Sequence, residues 1–157
     1  MGSVEDAYGV IRSCARSTDG DVEGWREALA AALPAGPLTD AFLSAALEPL
    51  DALEASRALR ELALLGRREV AKAALARVGG ADPTAELNLG SALTACGDER
   101  GAQALWRLYL AHRGRTEGPD WVPTAWIFDA LHEMRDNPIA RRLTVEITTA
   151  ENARGKT

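Results

Sequence analysis

Gly, Pro and Asp interrupt this chain of 157 residues at short intervals, and between the interruptions apolar residues recur every three or four positions. That combination restricts the chain to short amphipathic helices, each of which must lay an apolar stripe on a neighbour because none is stable alone. The pattern predicts helices over 4–16, 22–33, 38–48, 51–65, 68–78, 83–96, 99–113, 121–135 and 138–151. Only Leu143 to Thr148, where β-branched residues alternate with others, offers a strand reading. No partner strand accompanies it, and it is read as helix.

Several helix starts have a local cause. Asp51-Ala-Leu-Glu54 has the form of a capping box, in which Asp51 accepts from a first-turn N–H and Glu54 reaches back. Asp82 precedes Pro83, a proline at the first helical position where its missing N–H costs nothing, and Asp136-Asn137-Pro138 repeats the arrangement. Asp120 is read as the cap of the helix over 121–135, with Pro123 tolerated in its first turn. The stripes agree: Ala55, Ala58, Leu59, Leu62 and Leu65 share one face, as do Leu89, Ala92, Leu93 and Cys96, and then Ala102, Leu105, Trp106 and Tyr109.

The turns echo one another. Gly20-Asp21-Val22-Glu23-Gly24 matches Gly97-Asp98-Glu99-Arg100-Gly101 at three positions, and Gly66 opens an equivalent turn. A shift of 31 residues superposes Leu62 on Leu93, Gly66 on Gly97, Ala71 on Ala102 and Ala73 on Ala104. In LNLGSALTACGDERGAQALW, residues 87–106, the Leu89-Gly90 pair, Leu93, Gly97, Ala102 and Trp106 resemble a tetratricopeptide-like repeat. The resemblance implies an all-α fold, a right-handed stack of antiparallel helical hairpins forming an α–α superhelix. It also implies that Gly90 and Ala102 let paired helices approach while Leu93 and Trp106 fill the space between them. It covers less than half of the chain: Leu59 replaces the helix glycine in the copy over 58–78, and the turns are 46 and 31 residues apart. An irregular helical bundle is the alternative fold.

The length is that of one domain spanning residues 1–157, with 1–3 read as a cloning remnant and 152–157 as a flexible tail. A content of 46% hydrophobic and 26% charged residues is that of a soluble globular protein, and no apolar run nears the roughly 20 residues that cross a bilayer. The N-terminus, MGSVEDAYGV, carries acids where a secretory signal carries a basic segment, so a cytoplasmic location is expected. A net charge of −5 argues against nucleic acid as the partner. Sixteen arginines stand against two lysines, Lys72 and Lys156, beside abundant alanine and glycine. All three favoured residues have GC-rich codons, which points to a high-GC bacterium rather than to phosphate recognition. The pairs Arg67-Arg68 and Arg141-Arg142 are read as solvated helix surface. Cys14 and Cys96 lack CxxC spacing and are read as small buried hydrophobes, with no disulfide and no metal site.

Three stretches are candidates for chemistry. The Gly97–Gly101 loop lacks the lysine and strand of a phosphate loop and the ligand series of a calcium loop, so Asp98 is read as a helix cap with Glu99 favourable beside it. Asp129, His132, Glu133 and Asp136 fall at i, i+3, i+4 and i+7, one helical face carrying acid–base and metal-ligating groups. That face lies opposite the stripe of Ile127, Ala130, Leu131 and Met134, the position of a solvated surface. Trp121, Trp126 and Phe128 follow the loop RGRTEGPD, residues 113–120, next to Trp106 and Tyr109; they are core residues or the anchors of a partner surface. His112 is read as a residue that favours the negative end of its helix, and nothing brings a cysteine and a histidine together for nucleophilic catalysis.

The expected function is an interaction or adaptor module that takes a peptide or partner protein in a helical groove, with Arg113, Arg115, Trp121 and Trp126 as its contacts. The alternative is a small helical enzyme or a ligand- or metal-binding protein using the Asp129/His132/Glu133 face; no cofactor is expected. An acidic regulator touching nucleic acid ranks last. An incompletely capped hairpin array exposes apolar surface, so self-association is expected as well.

Overall fold

A computed structural model describes residues 3–17, 22–80, 82–118 and 120–155. The Gly20–Asp21 half of the first turn lies outside them. The described residues are all-α and contain no strand: α1 (Val4–Arg16), α2 (Val22–Ala32), α3 (Asp40–Leu47), α4 (Ala52–Leu64), α5 (Ala71–Leu75), α6 (Pro83–Ala95), α7 (Glu99–His112), α8 (Thr124–Glu133) and α9 (Pro138–Arg154). Among the described residues no helix is long and apolar enough to cross a membrane.

The predicted caps form where the signals are local. Asp51 Oδ1 accepts from the Glu54 N–H at 2.8 Å while Glu54 Oε1 accepts from the Asp51 N–H at 3.0 Å. Asp82 accepts from the Thr84 N–H and Asn137 from the Ile139 N–H, each ahead of its proline. Ser3 and Asp6 make a further box, unforeseen, at the head of α1. Asp98 caps α7 through the Arg100 N–H at 3.0 Å, and the Arg100 guanidinium holds its carboxyl below the usual range.

Asp120 does not cap α8. The helix begins three residues later than predicted, at Thr124, behind Pro123. The cause is Val122, which is fully buried and whose N–H goes to His112 Nδ1 at 3.2 Å, holding the segment outside the helix. The predicted helix over 68–78 is likewise shorter, a 3₁₀ turn at Arg68–Val70 followed by α5. Gly79, at φ +94°, ends this stretch, and Glu86 takes the N–H groups of Gly79 and Gly80. At the other end of the chain α9 continues through Arg154, so 152–154 are helical, and Leu143 and Ile147 face the core at i, i+4.

The two described turns in the sequence echo share one backbone geometry. Gly66 N–H donates to Ala63 O and Arg67 N–H to Leu62 O; Gly97 N–H donates to Thr94 O and Asp98 N–H to Leu93 O. Both are Schellman closures with a glycine in the left-handed region, φ +89° and +80°. Beyond the turns the copies diverge, into the short α5 in one case and the long α7 in the other.

The core has two parts joined at α6. One gathers apolar residues of α1 to α6, including Ile11, Leu43, Leu59, Leu62 and Leu93; the other gathers Leu105, Tyr109, Ile127, Leu131, Leu143 and Ile147 from α7 to α9. Helix α6 packs most extensively on α4 and α7 and also meets α5, α8 and α9. It is therefore buried all round rather than along the single stripe predicted, and its polar residues are satisfied inside. Asn88 donates to Ser56 Oγ at 3.1 Å, and the Ser91 and Thr94 hydroxyls donate to Leu87 O and Gly90 O one turn back.

The approach of α6 to α7 rests on Gly90 and Gly101 rather than on Gly90 and Ala102. A Cβ on Gly101 would stand 2.4 Å from Thr94 N and 2.7 Å from Gly90 O. Leu105, wholly buried, fills the space beside Gly90, while Trp106 is only half-buried and packs tilted against Tyr109, ring centroids 5.3 Å apart.

Much of the arginine excess works inside the fold. Arg12 donates to Ala45 O and Ala46 O and Arg16 to Pro49 O, closing the end of α3 against α1. Arg67, expected on a solvated surface, clamps the loop after α2 through Pro34 O and Gly36 O at 2.6 and 2.9 Å. Arg142 pairs across helices with Glu99.

Candidate functional site

Helices α8 and α9 run antiparallel through a turn over 134–137, and Leu131, Met134, Leu143 and Ile147 are buried beneath them. On their outer side an open groove of about 510 Å³ lies between them, lined on α8 by Phe128, Asp129, Leu131, His132 and Arg135 and on α9 by Arg141, Thr144 and Val145. Its apolar members are Phe128, Leu131 and Val145. Val145, at 64%, is the most exposed large apolar side chain among the described residues.

The stripe of Ile127, Ala130, Leu131 and Met134 is buried, as its spacing predicts, and Asp129, His132, Glu133 and Asp136 are all exposed. The four do not form one site. Asp129 and His132 line the α8–α9 groove, whereas Glu133 and Asp136 turn to the opposite flank, beside Leu64 and Gly66. There Glu133 is tied down: Arg26 Nη2 reaches it at 2.8 Å and Arg60 Nη2 at 3.1 Å, while Arg26 Nε pairs with Glu61 at 2.9 Å. Burial works against the Arg26 charge, but the hydrogen bonds and fields of Glu61 and Glu133 outweigh it and raise its pKa. Among the described residues no three His, Cys, Asp or Glu side chains come together as a metal-binding group.

The aromatic residues also separate. Tyr109 is wholly buried and donates to Glu151 at 2.6 Å; Trp121 is half-buried, and Trp126 is 48% exposed. At about 100° per residue Trp126 shares the Glu133 flank of α8, away from the groove. Arg113 lies over the Tyr109 ring at 5.9 Å and Arg115 beside His112 Nδ1 at 3.4 Å, so both are exposed arginines seated against the end of α7.

His112 itself departs from its predicted role. It is buried, and its Nδ1 accepts from the Val122 N–H, which requires that nitrogen to be unprotonated. Burial, then the nearby Arg115, lowers its pKa. It is a neutral pin for the 113–123 loop rather than a cation at a helix end. The cysteines are half-buried, and burial pushes the Cys96 thiol up to about 11, which leaves it a poor nucleophile at neutral pH.

The charges around the groove differ from those elsewhere on these helices. Arg142 pairs with Glu99 and Glu146, Arg154 with Glu151, and Glu133 with two arginines. Asp129 and Arg141, by contrast, make no side-chain ion pair or hydrogen bond among the described residues. The groove thus combines an apolar floor, an exposed valine and charges of both signs left to solvent. Comparison with protein-family models, curated proteins and solved structures returns no match.

Proposed function

We propose that this chain is a protein–protein interaction module, a tetratricopeptide-like stack of helical hairpins that takes a peptide or partner protein on its C-terminal hairpin, in the cytoplasm of a bacterium. The observation that carries the reading is the α8–α9 groove. It offers about 510 Å³ floored by Phe128 and Leu131 beside Val145, with Asp129 and Arg141 at its rim and uncommitted within the described chain. Apolar surface ringed by polar groups is the usual form of a recognition site. Further contacts are proposed on separate surfaces, with Arg113, Arg115 and Trp121 near the end of α7 and Trp126 on the Glu133 flank of α8, since aromatic and arginine side chains serve as anchors.

The test uses the intact chain as bait in its native cell, with Val145→Glu and Trp121→Ala variants in parallel. A specific partner captured by the wild type and lost with Val145→Glu supports the groove, and loss with Trp121→Ala extends the site to the loop. A partner set unchanged by both substitutions refutes the reading.

A further inference from the structure

We propose that His112 is a pH-operated latch: neutral, it holds the segment 120–123 against the core, and a proton taken up by its ring releases Val122 and Trp121 to solvent. His112 Nδ1 faces two groups that can only donate, the Val122 N–H at 3.2 Å and the Arg115 guanidinium at 3.4 Å. Nδ1 therefore keeps its lone pair and the ring hydrogen sits on Nε2. A second proton has only Nδ1 to go to. Its uptake removes the acceptor and turns N–H against N–H, with a guanidinium beside them. Val122 is fully buried in the α7–α9 part of the core, where its N–H meets no water. A donor stranded there is satisfied again only when the segment leaves. Little else holds it: among the described residues the Val122 N–H makes the one hydrogen bond from 120–123 to α7, and the Trp121 N–H turns to Gly118 O of its own loop.

The charges around the ring do not offset the loss. Burial first, then Arg115, works against the protonated ring, and Asp120 favours it. Glu117, also on the loop, is exposed, and Arg113 on α7 is seated over Tyr109. From α9, Glu151 and Arg154 reach this end of α7, but they pair with each other and Glu151 also accepts from Tyr109. The one titratable group of α6, Glu86, is taken by the Gly79 and Gly80 N–H groups, and the first turn of α8 carries none. With the segment open the ring returns to its ordinary pKa of 6.5, above its value in the closed form. The open form therefore gains on the closed one as pH falls through that value, and the gain levels off below the lowered one. Opening rises by up to about tenfold between about pH 7.5 and about pH 5.5.

Amide hydrogen exchange and imidazole titration by NMR on the full chain test the latch. In the wild type the Val122 amide is expected to exchange through a local opening, well ahead of the Leu93 amide in α6, with a protection factor that falls by up to about tenfold from about pH 7.5 to about pH 5.5. The His112 ring is expected to titrate below 6.5. His112→Gln offers a carboxamide oxygen to the Val122 N–H but cannot take up the proton, so its Val122 protection should no longer depend on pH; circular dichroism checks its fold. Should that variant not fold, the two wild-type measurements decide alone. A Val122 amide as slow as that of Leu93, a protection factor equal at the two pH values, a His112 ring that titrates at or above 6.5, or a folded His112→Gln chain with the wild-type pH dependence overturns the proposal.

Discussion

Replacing Gly101 by alanine sets two physical effects of opposite sign against each other. Gly101 lies within α7, where alanine is favoured over glycine by about 1 kcal/mol. The added Cβ, however, would stand 2.4 Å from Thr94 N, 2.6 Å from Thr94 Oγ1 and 2.7 Å from Gly90 O. Two of these are backbone atoms of α6, a helix buried on all sides, and they cannot rotate away. Restoring ordinary contact requires the helices to part by about 1 Å, which forfeits a quarter to a half of the dispersion at each neighbouring contact. Overpacking of a closed core costs about 1–3 kcal/mol, occasionally more. Because two of the opposed atoms are backbone, the cost belongs at the upper end of that range; with the propensity gain subtracted, Gly101→Ala is expected to destabilise by about 2 kcal/mol, a fall in Tm of roughly 4–8 °C for a chain of this size. Gly9→Ala is the control. Gly9 also lies within a helix, α1, but its Cβ meets nothing within 4 Å, so the substitution should raise stability by about 0.5–1 kcal/mol. Thermal and urea unfolding of the two variants beside the wild type decide the matter. A Gly101→Ala chain as stable as the wild type, with Gly9→Ala behaving as expected, would refute the backbone contact between α6 and α7.

Two further predictions concern the loop and the caps. His112 has its pKa lowered by burial and is needed neutral, so the unfolded chain binds the proton more readily below the ordinary 6.5. Its contribution to stability is complete above that value and is lost as pH falls from 6.5 towards the lowered value; urea unfolding at about pH 7.5 and about pH 5.5 should show the loss, and a His112→Gln chain with the same pH slope would refute the assignment. Asp51→Ala removes one half of a capping box and should cost about 1 kcal/mol, whereas Asp120→Ala, at a residue that caps nothing, should stay within about 0.5 kcal/mol of the wild type; equal losses in the two would contradict the observed start of α8.

These predictions divide along the line between local and non-local signals. Asp51, Asp82 and Asn137 were legible as caps because the donor and acceptor lie two or three residues apart in the chain. The echo of Leu62–Gly66 in Leu93–Gly97 was legible for the same reason, since a Schellman closure is completed within six residues. Asp120 failed as a cap because the deciding bond, Val122 N–H to His112, comes from the preceding helix. The all-round burial of α6 was hidden by Asn88, Ser91 and Thr94, which mimic a polar face until Ser56 and the helix's own carbonyls are seen to satisfy them. Nor does anything near Glu133 in the sequence announce Arg26, 107 residues earlier.

The candidate site was legible in an unexpected place. Periodicity located the exposed stripe of α8 and brought Asp129 and His132 to notice, but it merged two flanks that border different helices. The other wall of the groove was present in the sequence as an apparent contradiction: Leu143, Val145 and Ile147 alternate as a strand would. The helix resolves it, since Leu143 and Ile147 are buried at i, i+4 and Val145 stands 64% exposed between them. An apolar residue on the polar side of an amphipathic helix has no part in the chain's own core, and local patterning is broken most often where a surface serves something other than folding. Val145 is therefore the source both of the false strand signal and of the groove's apolar wall. The interaction proposed for the groove turns on that residue more than on the acid and histidine opposite.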